Sequence, residues 1–277
     1  MGERGAGGRA ERDLRGVSGE WNEPRAKRPA SRADLLQRPP AARLFVKGNR
    51  TSVMVTALRE DVWWYECTGV NAFLLADEDG LTLVDAGTPF DADRVEAAVD
   101  AAGFDREDVV RILLTHYDLD HVGSVAKLAV DAPVYVGTAD AEYLTGARRP
   151  GLSGLKPAIQ TAFGVVIPDV PADRVRRVED GDAVGGFTAY HTPGHTPGHV
   201  AYVHEARDVA LLGDSVIERG GSLQSSPWYL SYDAGRAADS VVAFADRAPA
   251  VGALGMGHGT PVEADGAESL SALAASL

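Results

Sequence analysis

Cysteine is almost absent from this 277-residue chain: Cys67 is the only one, so no intramolecular disulfide can form and the redox compartment is left open. Within VWWYECTGV it reads as a small buried hydrophobe. Lysine is scarce as well, four residues against 23 arginines. No apolar run approaches the roughly 18 residues of a membrane span. The N-terminus lacks the apolar core of a secretory signal. A cytoplasmic protein with no membrane partner is the expectation. Positive charge is short over most of the chain. Of 27 Lys/Arg and 40 Asp/Glu, residues 1–50 hold twelve and six, which leaves 15 and 34 in residues 51–277, a net −19. Such a body repels phosphate backbones, so nucleic acid is not an expected partner. The same bias is compatible with a salt-adapted cytoplasm, although a GC-rich genome also favours Arg over Lys.

Hydrophobic residues make up 45% of the chain, enough for a real core. Residues 1–43 are rich in Gly, Arg, Pro and Ala without periodicity and read as disordered. Residues 1–50 are accordingly set apart as a disordered or non-native extension, and 51–277 as one domain. VMVTAL, VWWYEC, VNAFLLAD and LTLVDAG read as successive strands. Thr88-Pro89-Phe90-Asp91 has the form of a capped helix start, and the helix runs through RVEAAVDAAG to Gly103. VVRILLTH is a strand, SVAKLAV a short helix, APVYVG a strand and ADAEYLTG a helix. Residues 146–172 are punctuated by Gly and Pro and give no assignment. VRRVED, FTAYHT, HVAYVHEA and DVALLGD resume the strands. DAGRAADSVVAFADRA is a helix, VGALGMG a strand and ESLSALAAS a last helix. The order predicts an α/β protein with two sheets between helices.

Only seven histidines are present, and two of them fall in THYDLDHVG with two aspartates: His116, Asp118, Asp120 and His121. In an extended chain 116, 118 and 120 share a face, and in a turn 121 joins them. A solvated loop using Asp for its turns is the plainer reading. YHTPGHTPGHV sets His191, His195 and His199 four apart, but its prolines and glycines forbid a helix, so they cannot stack on one face. His195 is the best ligand candidate, with His191 and His199 supporting. His204 reads as exposed. The strand VALLG delivers Asp214 at its end, and MGHG places His258 after VGAL. Four strands that each end in Asp or His suggest donors converging on a metal.

THYDLDHVG, TPGHTPGH, LLGDS and MGHG, in that order and with VDAGTP upstream, closely resemble the metallo-β-lactamase-fold hydrolases over about residues 54–260. The resemblance implies an αββα sandwich of two mixed sheets flanked by helices. It also implies two divalent metal ions, most often zinc in that family. His116 and His195 match ligands of the first ion, Asp120, His121 and His258 those of the second, and Asp214 the bridge between them. Asp85 of VDAG matches an aspartate that supports the site. One position departs: the family motif is His-x-His-x-Asp-His, and Asp118 stands where the second His belongs. As a ligand, Asp118 would be an anionic oxygen donor and would lean the site towards Fe or Mn.

The resemblance further implies hydrolysis by a metal-bound hydroxide, with Asp120 orienting it and shuttling its proton, and Asp85 orienting a ligand. An ester, lactone or thioester is the expected small-molecule substrate. Only 19 residues follow His258, against the helical C-terminal domain of the glyoxalase II branch. Spacings of 18 and 43 residues between His195, Asp214 and His258 are short for a nuclease insertion, so a nuclease is a less favoured alternative. An iron-dependent oxidoreductase or dioxygenase on the same fold is the rival reading, and a non-catalytic metal-binding protein a further one. Trp228, Tyr229 and Tyr232 in SPWYLSYD either wall the pocket or pack on the core. Tyr117, inside the metal motif, is a candidate to face substrate.

Overall fold

Strands buried on both faces build two sheets packed against each other. The computed structural model describes residues 43–47, 52–151, 154–163, 167 and 169–277. The first sheet follows chain order: β1 (Arg43–Lys47), β2 (Ser52–Arg59), β3 (Val62–Glu66), β4 (Asn71–Ala76), β5 (Leu81–Val84), β6 (Val109–Leu113), β7 (Val134–Gly137) and β8 (Val175–Val178). Strands β1 to β5 form an antiparallel meander, and β5 to β8 run parallel. Parallel neighbours need long crossovers. These carry α1 (Ala92–Ala101), α2 (Leu119–Val122), α3 (Thr138–Leu144) and α4 (Leu155–Phe163). The second sheet comprises β9 (Ala183–Val184), β10 (Phe187–His191), β11 (Val200–His204) and β12 (Val209–Leu211). After β12 come a separate hairpin, β13 (Val216–Arg219) with β14 (Ser222–Ser225), and then α5 (Ala234–Arg247). Strand β15 (Ala253–Gly255) returns parallel to β12, and α6 (Gly266–Ala274) follows.

Alternation along the strands sorts the apolar side chains into three layers. In β4, Phe73 and Leu75 face the second sheet, while Ala72 and Leu74 face the α1 side. In β11, Val200 and Tyr202 face the first sheet, and Ala201 and Val203 meet Val241 and Phe244 of α5 with Leu270 and Leu273 of α6. The result is the expected αββα sandwich.

Four local expectations need correction. The segment set apart as an extension contributes β1, paired antiparallel from Arg43 opposite Thr56 to Lys47 opposite Ser52; residues 1–42 and 48–51 lie outside the described residues. The first helix begins at Ala92 rather than after a Thr88 cap, because the Asp91 carboxylate turns back. It accepts from the Thr88 and Thr68 amides at 2.9 and 3.1 Å and from their hydroxyls at 2.6 and 2.8 Å. Helix α2 covers the metal motif instead of SVAKLAV, where only turns follow. His204 is buried, edge-on to Phe187 with centroids 5.0 Å apart. Cys67 is buried as read. Among the described residues no helix is long and apolar enough to cross a membrane.

Candidate metal centre

Parallel pairing brings the site together. Strands β5 and β6 are parallel neighbours in one sheet, and β12 and β15 in the other. The residues just past their ends, Asp85, His116, Asp214 and His258, therefore emerge on the same side. The β10–β11 loop adds His195, and the start of α2 adds Asp118, Asp120 and His121.

Each imidazole of the predicted set is held through Nδ1 and points Nε2 inward. His121 Nδ1 lies 2.9 Å from Asp85 Oδ2, and His258 Nδ1 lies 2.9 Å from the Gly69 carbonyl. Both partners only accept, so Nδ1 carries a proton in either state, and once Nε2 is deprotonated its lone pair points inward. Thr115 donates its hydroxyl to Asp85 at 2.8 Å, which leaves its oxygen to accept from His116 Nδ1 at 3.0 Å. Ser226 Oγ holds His195 Nδ1 at 2.6 Å. Asp85 reaches these groups because its backbone is left-handed, φ 58°, a conformation that Asp tolerates better than most residues.

The inward atoms converge. His258 Nε2 is 3.2 Å from Asp214 Oδ2 and 3.5 Å from Asp120 Oδ2. His121 Nε2 is 3.3 Å from Asp214 Oδ1. His116 and His195 Nε2 stand 3.2 and 3.0 Å from Asp118 Oδ2. Three sets have donor atoms mutually within 4.8 Å: His116, His121 and Asp214; His116, Asp118 and His195; Asp120, His121 and His258. Buried polar atoms are nearly always paired, yet His121 Nε2 and Asp214 Oδ1 have no hydrogen-bond partner. A cation bound between them would satisfy both. Imidazole nitrogen and carboxylate oxygen are the donors Zn, Mn and Fe accept, so the residues fit a metal.

The model of the metallo-beta-lactamase superfamily matches residues 65–249. The chain belongs to that superfamily. It is 30% identical over 202 residues to YobT of Bacillus subtilis (strain 168), covering 69% of this chain and 83% of that one. It is 28% identical over 210 residues to the probable metallo-hydrolase YflN of the same organism, covering 68% and 79%. Among solved structures, the di-iron-bound form of TTHA1623 is 31% identical with TM-score 0.54, over 69% of this chain and 88% of that one.

Within this metallo-beta-lactamase superfamily site, carboxylates and imidazoles shift one another's protonation. Burial would lower the His121 pKa, but the Asp214 and Asp85 carboxylates raise it well above the imidazole range. Asp214 raises His258 to about 10. Burial opposes ionisation of Asp214, and the imidazoles of His121 and His258 outweigh it, holding the carboxyl well below its usual range. His195 is lowered to about 4, by burial first and then by Lys156.

The second histidine motif puts its rings in different settings. His199 spends both ring nitrogens, Nδ1 on Thr192 Oγ1 at 2.8 Å and Nε2 accepting from the Asp214 amide at 3.1 Å. It is a strut under Asp214 rather than a ligand. His191 is exposed, with Nε2 3.1 Å from the Pro197 carbonyl. Tyr117 does not face substrate: it is buried, 5.7 Å from the Tyr143 ring.

Several functional side chains escape sequence reasoning. Fully buried Asp140, at the start of α3, accepts from Tyr117 N at 2.8 Å, Gly198 N at 2.8 Å and Thr196 Oγ1 at 2.6 Å. It ties the two histidine loops together. A Cβ at Gly198 would strike the Asp140 backbone, which is why glycine stands there. Lys156 and Gln160 reach Asp118 from α4. Their only signal in the sequence was a lysine in a lysine-poor chain, inside the segment that gave no assignment.

Proposed function

We propose that the protein is a metal-dependent hydrolase acting on an ester, lactone or thioester carbonyl of a small molecule. The observation that carries this reading is the pair of orphaned buried atoms, His121 Nε2 and Asp214 Oδ1, at the focus of Nδ1-anchored imidazoles. A divalent ion bound there supplies Lewis acidity and lowers the pKa of water. Asp120 is the group placed to take and pass on the proton. It is about one-third exposed and stays ionised, since His258 and His121 outweigh the burial that opposes its charge. Asp85 holds His121 in the ligating tautomer.

The loop after Ser226 supports a small-molecule pocket. Tyr232 N donates to the His195 carbonyl at 3.2 Å and its hydroxyl bonds Gln160, so the loop is pinned beside the site. Trp228 and Tyr229, exposed and packed edge to face at 5.7 Å, then offer an apolar wall for an acyl group. The iron in TTHA1623 supports iron alongside zinc and manganese as the metal. The test is turnover of nitrophenyl esters, lactones and thioesters by the metal-loaded protein, with and without oxygen. Hydrolysis indifferent to oxygen is expected, and oxygen-dependent turnover alone would favour the iron oxidoreductase. Asp214→Ala should lose metal and, at about 10²–10³-fold or more, hydrolysis together, because its carboxylate lies against both His121 and His258. Full activity in that variant sinks the assignment.

A further inference from the structure

The two halves of the metal centre are not alike. Around His121 and Asp214 buried donor atoms lack partners. Around His116, Asp118 and His195 a cationic side chain already stands among the donors. Lys156, 5% exposed, bonds Asp118 Oδ2 through Nζ and lies 3.0 Å from His195 Nε2. One turn further along α4, Gln160 Nε2 donates to the other Asp118 oxygen at 2.6 Å and to the Tyr117 carbonyl at 2.6 Å. The Gln160 Oε1 accepts from the Tyr232 hydroxyl. The four-residue spacing puts Lys156 and Gln160 on one face of α4. Both oxygens of Asp118 are thus engaged by this chain's own side chains.

A buried ammonium persists only when it is paired. Asp118 is the pairing partner, and Asp118 is also the one position where the chain departs from His-x-His-x-Asp-His. A histidine there would present a neutral ring to Nζ, whereas an aspartate presents a counter-charge. The lysine and the departure explain each other. We infer that Lys156 is the resident cation of the first half. The protein then holds one divalent ion per chain, ligated by Asp120, His121, Asp214 and His258, rather than two. One ammonium and one divalent ion match the three carboxylates that face the donors, Asp118, Asp120 and Asp214, while Asp85 lies behind His121 on its Nδ1 side. A second divalent ion at His116 and His195 would sit against Nζ, and like charges at contact repel strongly in a buried site.

This inference rests on the metal-dependent reading above, and a count of bound ions separates the two. Metal-stripped protein is titrated with Zn²⁺ or Mn²⁺ by calorimetry, and the desalted product is assayed by elemental analysis. One ion per chain is expected in the native protein and two in Lys156→Met. Asp214→Asn should weaken the native ion by about tenfold or more, and His195→Gln should leave it nearly unchanged. Two ions in the native protein overturn the inference, as does a single ion lost in His195→Gln but kept in Asp214→Asn. A folded Lys156→Met that still takes one ion also overturns it. If that variant does not fold, the native count and the other two variants decide. A native count of zero overturns both readings, whereas one ion without turnover of any ester overturns the hydrolase reading alone.

Discussion

Asp91 gathers four hydrogen bonds onto one carboxylate, two from Thr68 and two from Thr88, and so joins the β3–β4 turn to the approach to α1. Burial opposes its charge, but the Thr88 and Thr68 bonds outweigh it and lower its pKa. A depressed folded pKa means stability that is fully present above the unfolded value of about 3.9 and lost as pH falls through the folded value. Asp91→Asn should therefore cost about 1–3 kcal/mol at pH 7, with the gap to the native protein closing as pH falls from 7 through the depressed folded value. Urea denaturation across that range checks it, and a gap constant with pH would show that the charge of Asp91 is irrelevant. Gly257 tests the metal centre from the backbone side. A Cβ there would press on Asp214 Oδ1 and lie 2.7 Å from His121 Cε1. Gly257→Ala should lower metal affinity by about 10–100-fold, as lost support of ligands does. The metal-induced rise in Tm should shrink accordingly; an undiminished rise would mean that the ion does not bind at His121 and Asp214.

At the scale of elements, α3 and α4 matter to the site through single polar residues that their sequences do not single out. Helix α3 supplies Asp140, the shared acceptor of Tyr117 N, Gly198 N and Thr196 Oγ1. Asp140→Ala leaves these buried donors unpaired, at about 1–3 kcal/mol for each group that water cannot reach. A total loss of about 2–5 kcal/mol by chemical denaturation is expected, and a loss under about 1 kcal/mol would show that the loops hold their shape without it. The strands behaved differently. Runs such as NAFLLA and VAYVH are buried on both faces, so their apolar composition alone identified them. The hairpin β13–β14 lacks that mark, since SLQS is exposed and half-buried in alternation, and it was not predicted.

For the whole molecule, charge is the dominant long-range quantity. Residues 51–277 carry 34 acidic and 15 basic side chains. Local pairs such as Asp180 with Arg247 at 2.6 Å are exposed, contribute little and weaken in salt. The unpaired excess repels itself at every distance inside a Debye length, which falls from about 10 Å at 0.1 M to about 3 Å at 1 M. Between those concentrations of KCl, Tm should rise by roughly 2–4 °C, the shift worth about 1 kcal/mol for a domain of this size. A flat or falling Tm would place the balance with the ion pairs and against salt adaptation.

What the sequence determined by itself is what local pattern encodes. Apolar runs specified most of the strands, and an Asp or His shortly after a run marked His116, Asp214 and His258 as donors at the sheet ends, whereas Asp85 came only from the family resemblance. Tertiary structure decided everything that depends on contact between distant segments. It separated His195 from His199, because only the packing of the Asp214 amide against His199 Nε2 takes that ring out of reach of a metal. It turned Tyr117 into the core and buried His204. It brought Lys156 across 38 residues of sequence to Asp118, and Asp140 across 58 to Gly198. A buried charge is tolerated wherever a partner meets it, and no periodicity in the sequence records where that meeting takes place.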